Sequence, residues 1–300
     1  MTRPLRIGTR GSALALWQAN AVAALLAARG HASELITIRT TGDRIQDRPL
    51  SEAGGKGLFV KELEDALLAR TIDLAVHSAK DMSVGLPPGL AVAAVLPRED
   101  PRDALVLRAG HTLPSRGAIG TGSVRRSAQL AVRMPSARFL PIRGNVDTRL
   151  RKLDAGEYDA LVLAVAGLTR LGYAPRISEP ISYDDCIPAP GQGIIAIETR
   201  VDDARDDVWR AINDPASAAA FVAERAVVEA LGGGCELPLG AIAVHEGAEL
   251  VMQAIVTNLD GTRRVRRGAR GDASQPAVLG RRLAADLAEA GAVEILNSLR

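Results

Sequence analysis

Apolar strand segments alternate with helical segments twice along this 300-residue chain, and a hairpin pattern follows them. That order predicts two α/β domains plus a small C-terminal α+β domain. Two polar, Pro-bearing stretches, at 98–103 and 187–193, interrupt the alternation and read as a linker and a hinge. The length agrees, since 300 residues at about 100–200 per domain give two or three domains.

The elements follow in order. Residues 5–9 are a short apolar strand. Ser12 caps a helical pattern that runs to Arg29, and Gly30 stops it. Residues 35–39 read as a strand and 54–57 (GGKG) as a flexible loop. Residues 58–70 are amphipathic at helical period, with Leu58, Phe59, Leu63, Leu67 and Leu68 on one side. Strands are expected at 73–77 and 90–96. The second set comprises strands at 118–121, 139–142 and 160–165 and helices at 124–133 and 146–153. An Ala-rich helix then runs from Ser217 to about Leu231 and ends in three glycines. Residues 250–258 and 262–267 form a hairpin around a two-residue Asp260-Gly261 turn, and 275–299 is mostly helical.

Composition removes several function classes. The chain is 47% hydrophobic and 24% charged, which excludes disorder, collagen-like repeats and a coiled coil. Its net charge of +2 makes no case for nucleic acid or an anionic membrane. The two cysteines, Cys186 and Cys235, form no CxxC pair, which excludes a zinc ribbon, a thioredoxin-type site and a disulfide framework. Four histidines without HxxxH or HExxH spacing argue against a His-based metal site. Arg3 and Arg6 before an apolar stretch imitate a secretory signal, but Arg10, Gln18 and Asn20 interrupt it. No run of 18 apolar residues exists, so a cytoplasmic protein without a membrane span is expected. Arg outnumbers Lys 33 to 4, yet three of the four Lys fall between residues 56 and 80. That segment hints at a use for a compact ammonium.

An internal echo points to anions. IGTRGS at 7–12 and IGTGS at 119–123 each end a strand and open a helix. Each sets a Ser and free backbone N–H groups at a helix N-terminus, a seat for an anion held between two domains, or simply an N-cap. Arg10 sits at the first seat. Arg125 and Arg126 sit in the first turn of the second helix, where cations oppose the dipole unless an anion offsets them. Arg143, Arg149 and Arg170 follow the next two strands. Most of this set lies at predicted C-terminal strand ends, where open α/β sheets bind ligands, and guanidinium forks pair well with carboxylates. His77-Ser78-Ala79-Lys80-Asp81 also follows a strand, placing Asp81 to stabilise a cation or shuttle a proton, or leaving it an exposed loop residue. Gly232-Gly233-Gly234-Cys235 offers an uncovered thiol, nucleophile or small hydrophobe, whereas Cys186 reads as structural.

The segments RIGTRGSALALWQ, GGKGLFVKELE, HSAKDM, EDPRDAL, IGTGSVRR, IRGNVDTRL, LAVAGLTRL, PGQG and GGGCELPLG resemble, in order and spacing, the porphobilinogen deaminase family over nearly the whole chain. The resemblance implies an enzyme that joins four porphobilinogen units head to tail into the linear tetrapyrrole hydroxymethylbilane, releasing ammonia. It implies a covalent dipyrromethane cofactor on Cys235 and a catalytic Asp81. Arg10, Ser12, Lys80, Ser123, Arg125, Arg126, Arg143, Arg149 and Arg170 would bind the acetate and propionate groups of cofactor and substrate. It further implies three domains: 1–97 with 193–214, 102–188, and 217–300, the first two periplasmic-binding-protein-like and the third carrying the cofactor loop. A cytoplasmic monomer without metal, membrane or nucleic-acid partner is expected. Each porphobilinogen carries two carboxylates, which accounts for the Arg set, and loss of ammonia leaves an electron-poor azafulvene that a carboxylate can stabilise. The chain departs from the family pattern at Ala13, Ala79, Met82, Ser83 and Gly122, none of them a proposed charged or nucleophilic residue.

Three rival readings make other demands. A small-carboxylate binding module fits the anion seats but leaves the GGGC loop without a use. A thiol hydrolase needs His77 beside Cys235 and an orienting partner. Nucleic-acid binding through Arg263, Arg264, Arg266, Arg267 and Arg270 lacks interleaved aromatic residues.

Overall fold

The structure, a computed structural model, describes residues 3–44, 59–205, 207–232 and 237–299. The chain divides into two compact units: Met1–Glu99 with Ile194–Ala218, and Asp100–Gly193 with Ala219–Arg300.

Unit 1 is built on β1 (Leu5–Thr9), β2 (Ser33–Thr37), β3 (Leu74–Ser78) and β4 (Leu90–Val95), joined late in the chain by β10 (Ile195–Arg200). The strand order is β2-β1-β3-β10-β4. The first three strands run parallel, and β10 runs antiparallel to β3 and β4. Helix α1 (Ala13–Ala27) starts where Ser12 accepts the Ala15 N–H at 3.3 Å and stops just before Gly30, whose φ is 81°. Its buried residues Ala15, Gln18, Ala19, Val22 and Leu26 recur at helical spacing. Val22 and Leu26 pack with Ile7, Leu74, Val76 and Ile197 on one sheet face. Helix α3 (Lys61–Leu68) covers the other, where Leu63 and Leu67 meet Ile72, Ala75 and Leu90. Alternation along β3 therefore sends Leu74, Val76 and Ser78 toward α1 and Ala75 and His77 toward α3. The short helices α2 (Thr41–Arg44) and α7 (Asp207–Ile212) complete the unit.

Unit 2 repeats the pattern with β5 (Asp103–Leu107), β6 (Ala118–Gly120), β7 (Arg138–Leu140), β8 (Ala160–Ala164) and β9 (Glu179–Pro180), in the order β7-β6-β8-β5-β9. Strands β6, β7 and β8 are parallel, and β5 is antiparallel to β8 and β9. The two sheets share one topology, with the antiparallel strand β10 drawn from after the second set and β5 from before it. The sequence echo is therefore structural: each copy ends the first parallel strand of a sheet and opens a helix, α1 or α4 (Val124–Arg133). Helices α5 (Val146–Asp154) and α6 (Val165–Arg170) follow β7 and β8.

Helix α8 (Pro215–Ala230) leads into an antiparallel sheet of β11 (Leu239–Glu246), β12 (Glu249–Thr257) and β13 (Arg264–Asp272). Helices α9 (Pro276–Glu289) and α10 (Ala292–Asn297) complete this part. A Cβ at Gly280 would lie 2.2 Å from the Ala223 carbonyl oxygen, so only glycine lets α9 approach α8 this closely.

The two α/β sheets and the smaller α+β part match the expected fold class. Three local expectations differ. The stretch 98–103 is not all linker, because Asp103 opens β5 and is fully buried. Strand β10 is a further element the local pattern did not mark. The hairpin tip is longer than two residues: Asn258 N–H bonds the Arg263 carbonyl, and Asp260 accepts from Thr262. The GGKG loop and Cys235 lie outside the described residues.

Candidate active site

Parallel strands present all their C-terminal ends at one sheet edge, and both units load that edge with polar residues. In unit 1 the ends of β1, β2 and β3 lead into Arg10–Ser12, α2 and Ser78–Asp81 respectively. Arg10 is engaged there. Its Nε lies 3.2 and 3.3 Å from the two Asp43 oxygens, and its Nη2 donates at 2.5 Å. Its guanidinium also stacks 4.1 Å from the Phe59 ring centre. Asp43 accepts from the Thr40 amide and hydroxyl as well. Burial pushes the Asp43 carboxyl up, but the bonds from Arg10 and Thr40 outweigh it and hold the group below its ordinary pKa. The anion that Arg10 holds in this structure is therefore Asp43. The Ser12 hydroxyl serves as the α1 cap.

Lys80 and Asp81 sit half-buried in a 3₁₀ turn, Ala79–Asp81, directly after β3. The turn is anchored by the Ala79 N–H on the Ile194 carbonyl at 3.0 Å. Ser78 Oγ meets the Gln18 amide of α1 at 2.9 Å. Asp81 itself takes no hydrogen bond or ion pair among the described residues. His77, by contrast, is buried, with Nε2 2.9 Å from Glu198 Oε2. Glu198 is the kind of partner that orients a catalytic imidazole, but the ring is buried.

In unit 2 the ends of β6, β7 and β8 lead into α4, α5 and α6. Ser123 occupies the N-cap position of α4 without a side-chain cap bond, and Asn145 does the same on α5. The first N–H groups of both helices thus have no side-chain acceptor at the cap, which suits an anion. Arg125 and Arg126 turn inward. Arg125 Nη1 donates to Asp103 Oδ2 at 2.7 Å, the Ile187 carbonyl at 2.8 Å and Cys186 Sγ at 3.3 Å. Arg126 reaches Asp103 Oδ1 through Nε at 2.9 Å and Nη2 at 2.7 Å, and the Val162 carbonyl through Nη1 at 3.1 Å. Gln192 adds a bond to the same Asp103 oxygen at 2.9 Å. The offset to two cations in the first turn of α4 is therefore internal, and two guanidinium ions share one carboxylate. Burial pushes Asp103 up, yet the charges of Arg125 and Arg126 hold it well below the usual carboxylate range. Burial drives the Cys186 thiol up to about 12, in keeping with a structural cysteine.

Burial alone lowers the Arg143 pKa. Arg149 Nε donates to the Gly144 carbonyl at 2.8 Å, and Arg170 Nη2 to the Gly193 carbonyl at 2.6 Å. Both hold backbone between elements. A Cβ at Gly122 would lie 3.1 Å from the Ile142 carbonyl, so the side chain that this position lacks would fit tightly.

The structure thus gathers Arg10, Ser12, Lys80 and Asp81 at one edge of unit 1, and Ser123, Arg125, Arg126, Arg143 and Arg149 after the parallel strands of unit 2. Sequence reasoning missed Asp43, Asp103, Gln192 and Glu198. The one readable signal was at Asp103, an acid directly ahead of the wholly apolar Ala104–Leu107 run.

Comparison with known proteins divides the chain between residues 207 and 218. A family model described as porphobilinogen deaminase, dipyromethane cofactor binding domain, matches residues 5–207. A second, porphobilinogen deaminase, C-terminal domain, matches 218–289. The porphobilinogen deaminase of Desulforudis audaxviator is 48% identical over 306 residues, covering 100% of this chain and 99% of the relative. That of Roseiflexus castenholzii is 50% identical over 305 residues, covering 99% of each. Among solved structures, the periplasmic aliphatic sulphonate binding protein of Escherichia coli superimposes with a TM-score of 0.41 at 12% identity, over 76% of this chain and 70% of that one. A likeness that weak carries no assignment. Two domain models in register and near-half identity from end to end do: the chain belongs to the porphobilinogen deaminase family.

Proposed function

We propose that the chain is a hydroxymethylbilane synthase, a transferase of tetrapyrrole biosynthesis that joins four porphobilinogen units head to tail. Each addition breaks the C–N bond to the aminomethyl nitrogen, forms a C–C bond between rings and releases ammonia. The observation that carries the reading is Asp81: a carboxylate on a turn tied to the Ile194 carbonyl, with no partner among the described residues. Such a group is available to a cation. Beside a pyrrole nitrogen it stabilises the positive charge that grows as the amine leaves. It also handles the protons of the leaving amine and of the ring.

The other site residues bind carboxylates. Arg125 and Arg126 bring two positive charges to one internal carboxylate, which leaves one positive charge for a ligand. Within unit 2, Ser123, Arg143, Arg149, Arg170 and the open N-termini of α4 and α5 extend that surface; within unit 1, Arg10, Ser12 and Lys80 are the carboxylate-binding groups. For Arg10 this requires a ligand carboxylate to take the place of Asp43.

A dipyrromethane cofactor fits this donor set, because its acetate and propionate groups match guanidinium forks and helix N-termini. When bound, it supplies the pyrrole terminus to which new units are added. We assign its thioether to Cys235, since Cys186 is buried with its thiol pushed up to about 12. Three domains, 1–97 with 193–214, 102–188 and 217–300, accord with three separate sheets. No described helix is long and apolar enough to cross a membrane. A cytoplasmic monomer completes the reading.

Intact mass of the purified, unfolded protein tests it. Wild type is expected to carry extra mass equal to one dipyrromethane, and Cys235→Ala none. No extra mass in folded wild type, even after incubation with porphobilinogen, would overturn the reading in favour of a carboxylate-binding module.

A further inference from the structure

Beneath the Asp81 turn lies a group of titratable side chains that the proposed chemistry does not use. His77 on β3, Glu198 on β10 and Glu64 on α3 are all buried. His77 Nε2 and Glu198 Oε2 are 2.9 Å apart, while Glu198 Oε1 is buried without a hydrogen-bond partner among the described residues. Burial, and then the charge of Glu198, raise the Glu64 pKa, so the two carboxylates sense one another. The same face holds apolar Leu63, Leu67, Ile72 and Ala75, and the buried Arg200, which donates to the Leu67 and Ile72 carbonyls at 2.9 Å. Buried ionisable groups cost more than hydrophobic ones of similar volume, so stability alone does not account for them.

Their position does. Strand β1 pairs with β3 only at Leu74 and Ala75. From Val76 to Ser78 the ladder of β3 runs to β10 alone, and the Ala79 N–H on Ile194 is its last tie before the turn. The outgoing end of β3 therefore relies on side chains. On the α1 face Ser78 meets Gln18, and on the α3 face His77 meets Glu198. A polar bond holds each face of the strand end, and Asp81, four residues beyond His77, has none of its own among the described residues.

We propose that the buried His77–Glu198 pair is the positioning device of the Asp81 turn. It fixes the end of β3, so that a carboxylate oriented by no bond of its own is presented in one place. The inference rests on Asp81 being the catalytic carboxylate. Wild type and Asp81→Asn are therefore assayed first with porphobilinogen, and unchanged turnover in Asp81→Asn would sink that reading instead of this one.

The test then uses three variants of the full-length holoenzyme. His77→Leu is expected to lower kcat on the order of tenfold to a hundredfold, the scale of a small misplacement of a reacting group. The KM for porphobilinogen and the attached cofactor mass should stay as in wild type. His77→Gln, whose amide nitrogen can reach the Nε2 position, should recover most of the loss. The double variant His77→Leu with Glu198→Met removes both members of the pair and strands neither, so it decides the matter if His77→Leu fails to fold. Its kcat should remain low in a folded protein. A folded double variant with wild-type kcat would overturn the proposal, because apolar packing would then hold the turn equally well. So would a loss confined to KM, or His77→Gln no better than His77→Leu.

Discussion

Replacing Asp81 by Asn is expected to lower porphobilinogen turnover by about 10²–10⁴-fold, the range for removal of a positioned acid–base group. The substitution keeps the shape of the side chain. It deletes the negative charge and the ability to take a proton. Because no described residue bonds to this carboxylate, no folded-state interaction among them is lost. The change in stability should stay within about 0.5 kcal/mol, as for surface substitutions generally. The prediction is a dissociation of effects: kcat collapses while the melting temperature and the mass on Cys235 do not move. A variant that retains more than about a tenth of wild-type kcat would place the charge-stabilising group elsewhere, since even one electrostatic donor is worth more than that.

What made Asp81 legible was its address. An apolar strand followed at once by a polar turn marks a C-terminal strand end, and local pattern suffices to find it. The same holds for Ser12 and Ser123, each set between a strand and a helix, and for the repeated topology that their motifs announce. The availability of the Asp81 carboxylate was not legible, because it depends on what neighbouring elements fail to donate. Nor were β5 and β10. Each is an antiparallel strand inserted into a parallel set, and β10 pairs with a strand over a hundred residues earlier, at Ala196↔His77. No local period encodes such a pairing. The cost of Arg125 and Arg126 in a first helical turn could be read directly, but the carboxylate that meets it lies 22 residues upstream in a run that looked like a linker. Side-chain chemistry also reset the hairpin tip, where Asn258 and Asp260 bond the backbone beyond the Asp-Gly pair. The glycine-flanked Cys235 was read from sequence and family resemblance and rests on them.

Asp103→Ala is expected to destabilise the protein on the order of 3–5 kcal/mol, the cost of stranding buried charge. Asp103 is fully buried and accepts from Arg125, Arg126 and Gln192. Its removal leaves two guanidinium ions facing each other with no anion between them. Removing one arginine is gentler, because Arg126→Met leaves Asp103 paired one to one with Arg125 at 2.7 Å. The order of melting temperatures should therefore be wild type, Arg126→Met, then Asp103→Ala, the last lower than wild type on the order of 10 °C. Acid sharpens the test. The folded-state pKa of Asp103 is depressed, so its contribution is fully present above the unfolded value of about 3.9 and drains as pH falls below it. The stability gap between wild type and Asp103→Asn should accordingly be widest near neutrality and narrow from about pH 4 downward. Chemical unfolding at a series of pH values measures it. A gap that stays constant with pH, or an Arg126→Met variant weaker than Asp103→Ala, would mean that Asp103 is not the counter-charge that allows two arginines to sit buried at the start of α4.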